Sequence, residues 1–362
     1  MYSKRFVAAL TAALCVFGAV SCGKKDSTVD EKKETETTAA TDAAETTEAD
    51  TAEAKEDSDD KKEDSGSDEE YKLADYITVD KSSPAMWKVT DPETGNVLYM
   101  LGTMHIVTED TFPLPDYIMD VYKNCDGIAV ELDINSMMSD MQQMQEFASK
   151  LMYTDGSTVK DHISAETYEK LKKYMSENYM YNEMMDVYTA GYWVSQLETL
   201  AITNIDDIDT NGVDYKFIEM ANDDKKEVIS LETIDIQAKA LSGASDDLAD
   251  YLISEMIDDA GDMPTYTKEF AEEYDKWASG DVDELDMDDD AEEMPDDLKD
   301  DYAEYEDIVL YNRNEGMAAK AEEFLKNGKN YFFMVGAAHF AGEKGVDDLL
   351  AAKGYKVERV SA

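Results

Sequence analysis

The chain has 362 residues, with 33 Lys and Arg against 84 Asp and Glu, a formal net charge of −51 at pH 7. A surface this acidic repels phosphate backbones, which excludes nucleic acid as a partner. It also resists compaction, so folding needs ample buried apolar area. The hydrophobic residues, 43% of the chain, are concentrated after Tyr71, enough for one large domain over residues 71–362.

The first elements are addresses, not fold. Lys4 and Arg5 precede an apolar run, Phe6 to Val20, too short to span a bilayer comfortably. It ends in Ala19-Val20-Ser21-Cys22, which resembles the lipobox of bacterial lipoproteins. The reading is a signal peptide over 1–21, lipidation of Cys22, and attachment to the cell envelope on its extracytoplasmic side through a membrane lipid anchor. Residues 22–70 then form an acidic stretch with one Val and no aromatic. Such a segment cannot bury apolar area and reads as a disordered tether, spanning about 40 Å as a coil. Of three cysteines, Cys15 leaves with the signal and Cys22 takes lipid. Cys125 is left without a disulfide partner and reads as a buried thiol.

The folded part opens with Met86–Val89 and Val97–Leu101 around the turn-forming Asp91-Pro-Glu-Thr-Gly-Asn96, a β-hairpin. Gly127–Leu132, Glu227–Leu231, Tyr331–Val335 and Tyr355–Val360 read as strands, and 114–124 and 345–353 carry helical spacing. Strands alternating with helices predict an α/β domain. From about 135 to 325 the pattern is mostly helical, a large insertion broken by the 227–231 strand. Met137, Met138, Met141 and Met144 predict a packed helix face. The acidic run 281–301 reads as a solvated face, since it lacks the calcium-loop pattern.

Two of the three histidines lie in matching contexts: Leu101-Gly102-Thr-Met-His105 and Val335-Gly336-Ala-Ala-His339, each after a buried strand. A strand end in an α/β sheet is where ligands bind. The glycine permits a sharp turn, and imidazole suits a metal or proton transfer. Glu131 closes the apolar strand 127–132, where a carboxylate needs a partner. Glu232 repeats that placement after Leu231. Asp214 begins a predicted helix, where N-capping is its plain role; Arg313 sits in a helix suited to an ion pair.

Ordered pieces then carry a resemblance: Leu101–His105, Phe112-Pro-Leu-Pro115, Val130-Glu-Leu-Asp133, Gly212-Val-Asp214, Leu231-Glu-Thr233 with Gln237, Arg313-Asn314, and Val335–Glu343. Over roughly 85–362 the chain resembles the TraB/GumN family, which includes the TIKI proteins. The resemblance implies an α/β core sheet like those of erythromycin esterase and ChaN proteins. TIKI members are regarded as metal-dependent proteases using manganese or cobalt. The resemblance therefore implies a divalent metal (Mn, Co or Zn) held by His105, His339 and Glu131, extended to Glu232 and Asp214. Glu131 is ligand or general base, and Arg313 a stabiliser of developing oxyanion charge. The expected function is a surface-anchored metal-dependent hydrolase acting on a peptide or small molecule. Two alternatives stand beside it: a metal-free esterase-like hydrolase with a His general base, and a non-catalytic lipoprotein capturing peptide, heme or metal.

Overall fold

The computed structural model describes residues 71–285, 291 and 293–361. The expected signal peptide, Cys22 and the tether lie outside the described residues, as do 286–290 and 292 of the acidic run.

Eight strands are present among the described residues: β1 (Met86–Thr90), β2 (Val97–Thr103), β3 (Val107–Thr108), β4 (Gly127–Val130), β5 (Ile208–Asp209), β6 (Glu227–Ser230), β7 (Tyr331–Gly336) and β8 (Lys356–Val360). Six form one sheet in the order β6-β4-β7-β2-β1-β8, and β3 pairs with β5. The strands β6, β4, β7 and β2 run parallel, while β1 is antiparallel to both β2 and β8. The composition explains this arrangement. Gly127–Val130 and Tyr331–Gly336 are buried along their whole length, as parallel strands covered on both faces must be. The edge strands β6 and β8 expose Glu227, Lys356, Glu358 and Arg359, charges that discourage pairing with another chain.

The β1–β2 hairpin is fixed by Asp91. Its carboxylate accepts the Glu93 backbone N–H at 2.8 Å and the Thr94 hydroxyl at 2.8 Å, a turn stabilised by its own first residue. Between β4 and β7 the chain is mostly helical, interrupted by β5 and β6. Ser164, Thr189, Thr233 and Ser245 each cap a helix by accepting a backbone N–H. The apolar side chains form a large cluster on the sheet, a second within the helices, and a small third one.

The methionine stripe does not make the expected packed face. Asp140 accepts the N–H groups of Gln142 and Gln143 and starts a new helix there. The stripe is thus divided between Ile134–Ser139 and Met141–Lys150. Met137 is buried, but Met138 and Met141 are exposed. Cys125 is buried as expected, with its thiol donating to the Tyr122 carbonyl.

Parallel strands place their C-terminal ends on one side. There β2 leads to His105, β4 to Glu131, β6 to Glu232 and β7 to His339. The helix Val213–Asp224 starts against the first of these loops: the Val213 N–H donates to the Met104 carbonyl at 2.9 Å. Its cap, Gly212, has φ +44, and a Cβ there would lie 2.2 Å from the His105 carbonyl oxygen. Both facts require glycine. Gly212→Ala is expected to cost about 3 kcal/mol or more. Gly95→Ala, at φ +75 with nothing within 4 Å, should cost about 1 kcal/mol. Calorimetric melting checks the contrast, with the Gly212 variant falling by roughly 6 °C or more.

Candidate functional site

Arg313 stands at the centre of the site. The helix Lys299–Glu306 passes through a π-turn, Asp307–Tyr311, into the helix Asn312–Asn327. Such a turn shifts the helical register where a site needs it. The shift brings Arg313 and Asn314 inward, both buried. The Arg313 Nε donates to Glu232 Oε1 at 2.8 Å, and its Nη2 donates to Glu131 Oε2 at 2.6 Å and Glu232 Oε2 at 2.9 Å. Its Nη1 donates to the Val309 carbonyl at 2.8 Å. Gln237 Nε2 joins the same two carboxylates, at 3.2 Å from Glu131 and 2.6 Å from Glu232. The planar fork of arginine suits this two-carboxylate clamp; lysine would not reproduce it.

The two glutamates are shifted in opposite directions. Burial pushes the Glu131 carboxyl up, but Arg313, His339 and His105 together outweigh burial and hold it well below the usual carboxylate range. The Gly336 N–H also donates to its Oε1, at 2.8 Å. Glu232 shares the same guanidinium, yet burial prevails there and its pKa is raised.

The two matching motifs land in opposite electrostatic states. His105 Nδ1 lies 2.8 Å from Asp214 Oδ2, and Asp214 Oδ1 accepts the Thr103 hydroxyl at 2.6 Å. Burial alone would depress the His105 pKa, but Asp214 and then Glu131 raise it to about 9. His339 is fully buried, and burial, reinforced by Arg313, pushes its pKa down to about 3. Its Nδ1 is 2.5 Å from Asn314 Oδ1, and Asn314 Nδ2 donates to the Lys344 carbonyl at 3.0 Å. That second bond fixes the amide orientation, so Nδ1 carries the His339 proton and Nε2 keeps its lone pair. His339 Nε2 lies 3.6 Å from Glu131 Oε1.

Both Nε2 atoms, of His105 and of His339, are buried with no hydrogen-bond partner. A small pocket is lined by His105, Val130, Glu131, Leu132, Ile134, Asp214 and Gln237. His339 stays behind this lining.

The donor set fits a divalent cation at two nitrogens, each with its opposite ring nitrogen oriented by a second residue, as metal-bound histidines require. Glu131 is the nearest carboxylate, already engaged by Arg313. Among the described residues no group of three or more His, Cys, Asp or Glu side chains is arranged to hold a metal ion. Of the wider set expected from sequence, Glu232 is bonded to Arg313 and Gln237, and Asp214 to Thr103 and His105. Arg313 turns its fork to the two glutamates. Glu198 went unnoticed in the sequence: a buried carboxyl pushed up to about 8 by burial, with His105 opposing. Its signal was the one charged residue in the stretch 190–203.

Residues 85–359 match the TraB/PrgY/gumN family. The chain belongs to that family. It is 22% identical over 309 residues to the metalloprotease TIKI2 of Xenopus tropicalis, covering 73% of this chain and 58% of that protein. It is also 22% identical over 317 residues to the human metalloprotease TIKI1, covering 73% and 60%, and 20% identical over 322 residues to TIKI2 of Danio rerio, covering 75% and 60%. The chain thus spans 58–60% of the length of these relatives. No solved structure matches it. The fold is accordingly a mixed α/β fold with a mostly parallel sheet, and the erythromycin-esterase- and ChaN-like form of it has no structural counterpart here.

Arg313→Met would leave two buried carboxylates without their cation. The expected cost is about 3–5 kcal/mol, read as a fall of roughly 10 °C in the melting temperature. Arg313→Lys should recover only part of it, because one ammonium cannot bridge both glutamates.

Proposed function

We propose that this protein is a hydrolase of peptide bonds that works with a bound divalent metal, manganese, cobalt or zinc. The observation that carries the reading is two buried, unpartnered imidazole nitrogens, that of His339 3.6 Å from Glu131 and that of His105 on the pocket that Glu131 also lines, at the C-terminal ends of parallel strands. The distant likeness to metalloproteases supports it. His105 and His339 would hold the metal with Glu131 beside them. When bound, such an ion supplies Lewis-acid polarisation of a carbonyl and a more acidic water.

The chain's own residues do the rest. Arg313 keeps Glu131 ionised and fixed. Asn314 keeps the His339 lone pair directed inward, and Asp214 with Thr103 orients His105. Val130, Leu132 and Ile134 give the cavity apolar walls that exclude water. Gln237, with Arg313, holds the Glu131–Glu232 carboxylate pair in place.

This reading is favoured over metal-free catalysis by a histidine base. At neutral pH His105 is already protonated and His339 is too weak a base to take a proton. A cation at the site would instead displace the His105 proton and use His339 as it stands. We also propose that Cys22 carries lipid and that residues 23–70 hold the domain away from an envelope membrane, where peptides are available substrates.

The experiment is cleavage of a fluorogenic peptide library by the full chain, before and after chelation, with manganese, cobalt or zinc restored. Cleavage should disappear on chelation and return with one of the three ions. His105→Ala and His339→Ala should each lose at least ~100-fold in kcat/KM. Metal-dependent cleavage retained by both variants would overturn the proposal. Cleavage that survives exhaustive chelation would transfer it to the metal-free reading.

A further inference from the structure

Two stretches of chain leave the sheet side by side and border the candidate site. Beyond the ends of β4 and β6 their backbones stay paired. The Leu231 N–H donates to the Val130 carbonyl at 2.8 Å, and that of Glu232 to the Glu131 carbonyl at 3.0 Å. The Asp133 N–H donates to the Ser230 hydroxyl at 2.9 Å. Each stretch then turns into a helix, Ile134–Ser139 capped by Asp133 and Ile234–Ser242 capped by Thr233. The first turns of the two helices are therefore neighbours, and both line the pocket, through Ile134 and Gln237.

Apolar side chains continue outward from that lining. Leu132 and Ile134 are half-buried, and with Ile234 they pack on the small apolar cluster. Met138 follows Ile134 by four residues, one helical turn on and on the same side, and is 44% exposed. Ile236, next to Gln237, is 40% exposed. A lone exposed apolar residue is ordinary on a protein surface. These two differ because each stands within one turn of a residue that lines the pocket. The acidic groups on the same two turns are engaged: Asp133 accepts the Ser136 N–H at 3.0 Å, and Asp235 pairs with Lys150.

Resting on the hydrolase reading, we infer that the substrate is a peptide with apolar side chains beside its scissile bond, one seated against Leu132 and Ile134 in the pocket and another resting on Met138 and Ile236. An apolar side chain gains by leaving water against such walls, whereas a charged one would lose its hydration to residues that already have partners. Methionine is unbranched and polarisable and adapts to side chains of different shape, so the rim selects a class of residue and not one residue. The chain's own segment 23–70 is a poor occupant, since Val29 is its only apolar residue larger than alanine.

The test uses the full chain and matched fluorogenic peptides that carry Leu, Ser, Asp or Lys at each position beside the scissile bond. Cleavage gives kcat and KM, and fluorescence polarisation gives binding of the same peptides. The wild type should prefer Leu to Ser, Asp and Lys at one position by about tenfold or more in kcat/KM. Ile134→Asn should lose most of that preference. Met138→Ser and Ile236→Ser should each raise KM by about threefold or more, with little change in kcat or melting temperature because both side chains are exposed. A wild type that prefers charged residues, or shows no preference, overturns the inference. So do rim variants that keep the wild-type KM, including the case in which they instead dissolve a dimer in sedimentation, which would give this face to a second copy of the chain. If the wild type binds these peptides without cleaving them, the hydrolase reading fails alone. The preference for Leu in binding, and its loss in the variants, then decides for or against the apolar subsite. A wild type that neither binds nor cleaves any of them defeats both.

Discussion

One guanidinium holds this site together. Arg313 binds Glu131 from the end of β4 and Glu232 from the end of β6, residues 182 and 81 positions away in sequence. Two carboxylates brought this close would repel and protonate without a cation between them. With Arg313 there, Glu131 stays ionised, and its charge in turn favours the protonated ring of His105. The same positive charge suppresses protonation of His339. The buried fork therefore keeps Glu131 ionised and reinforces burial at His339, while Asp214 does most to raise His105, and breaking it would be far more costly than its formation is stabilising.

That arrangement explains how two nearly identical motifs do different jobs. Each delivers a histidine from a buried strand through a glycine, yet their surroundings differ. His105 has a carboxylate behind it and the cavity before it. His339 has a neutral amide behind it and is sealed from solvent. Thr103 and Lys344 matter one step further out: each satisfies the free half of the orienting side chain, leaving it a single way to face its histidine. Pre-positioning of this kind, achieved through partners of partners, lets a site act without reorganising.

Much of this was legible in the sequence. The hairpin around Asp91, the apolar strands ending at Glu131 and His339, and the helices flanking the sheet follow from period, turn residues and glycine placement. The site's core residues were legible because strand ends in a parallel sheet converge on one side. What the sequence does not display is pairing across long separations. Nothing local to Glu232 or Asp214 announces their partners Arg313 and Thr103, which come from distant parts of the chain. The methionine stripe misled because helical spacing continued through Asp140, whose side chain ends one helix and caps the next. Glu198 was overlooked because one acidic residue in an apolar helix looks like an exposed face until the helix is seen to be enclosed.

With only three histidines in the chain, the imidazole nitrogens can be observed individually. The most direct measurement is nitrogen-15 NMR of the histidine rings of the full chain without added metal, from pH 5 to 8. His339 is expected to remain neutral throughout, protonated on Nδ1 with Nε2 bare, and His105 to remain protonated on both nitrogens. The opposite result is a His339 ring that titrates near its ordinary value, or carries its proton on Nε2. It would mean that Arg313 and Asn314 do not set the state of the site.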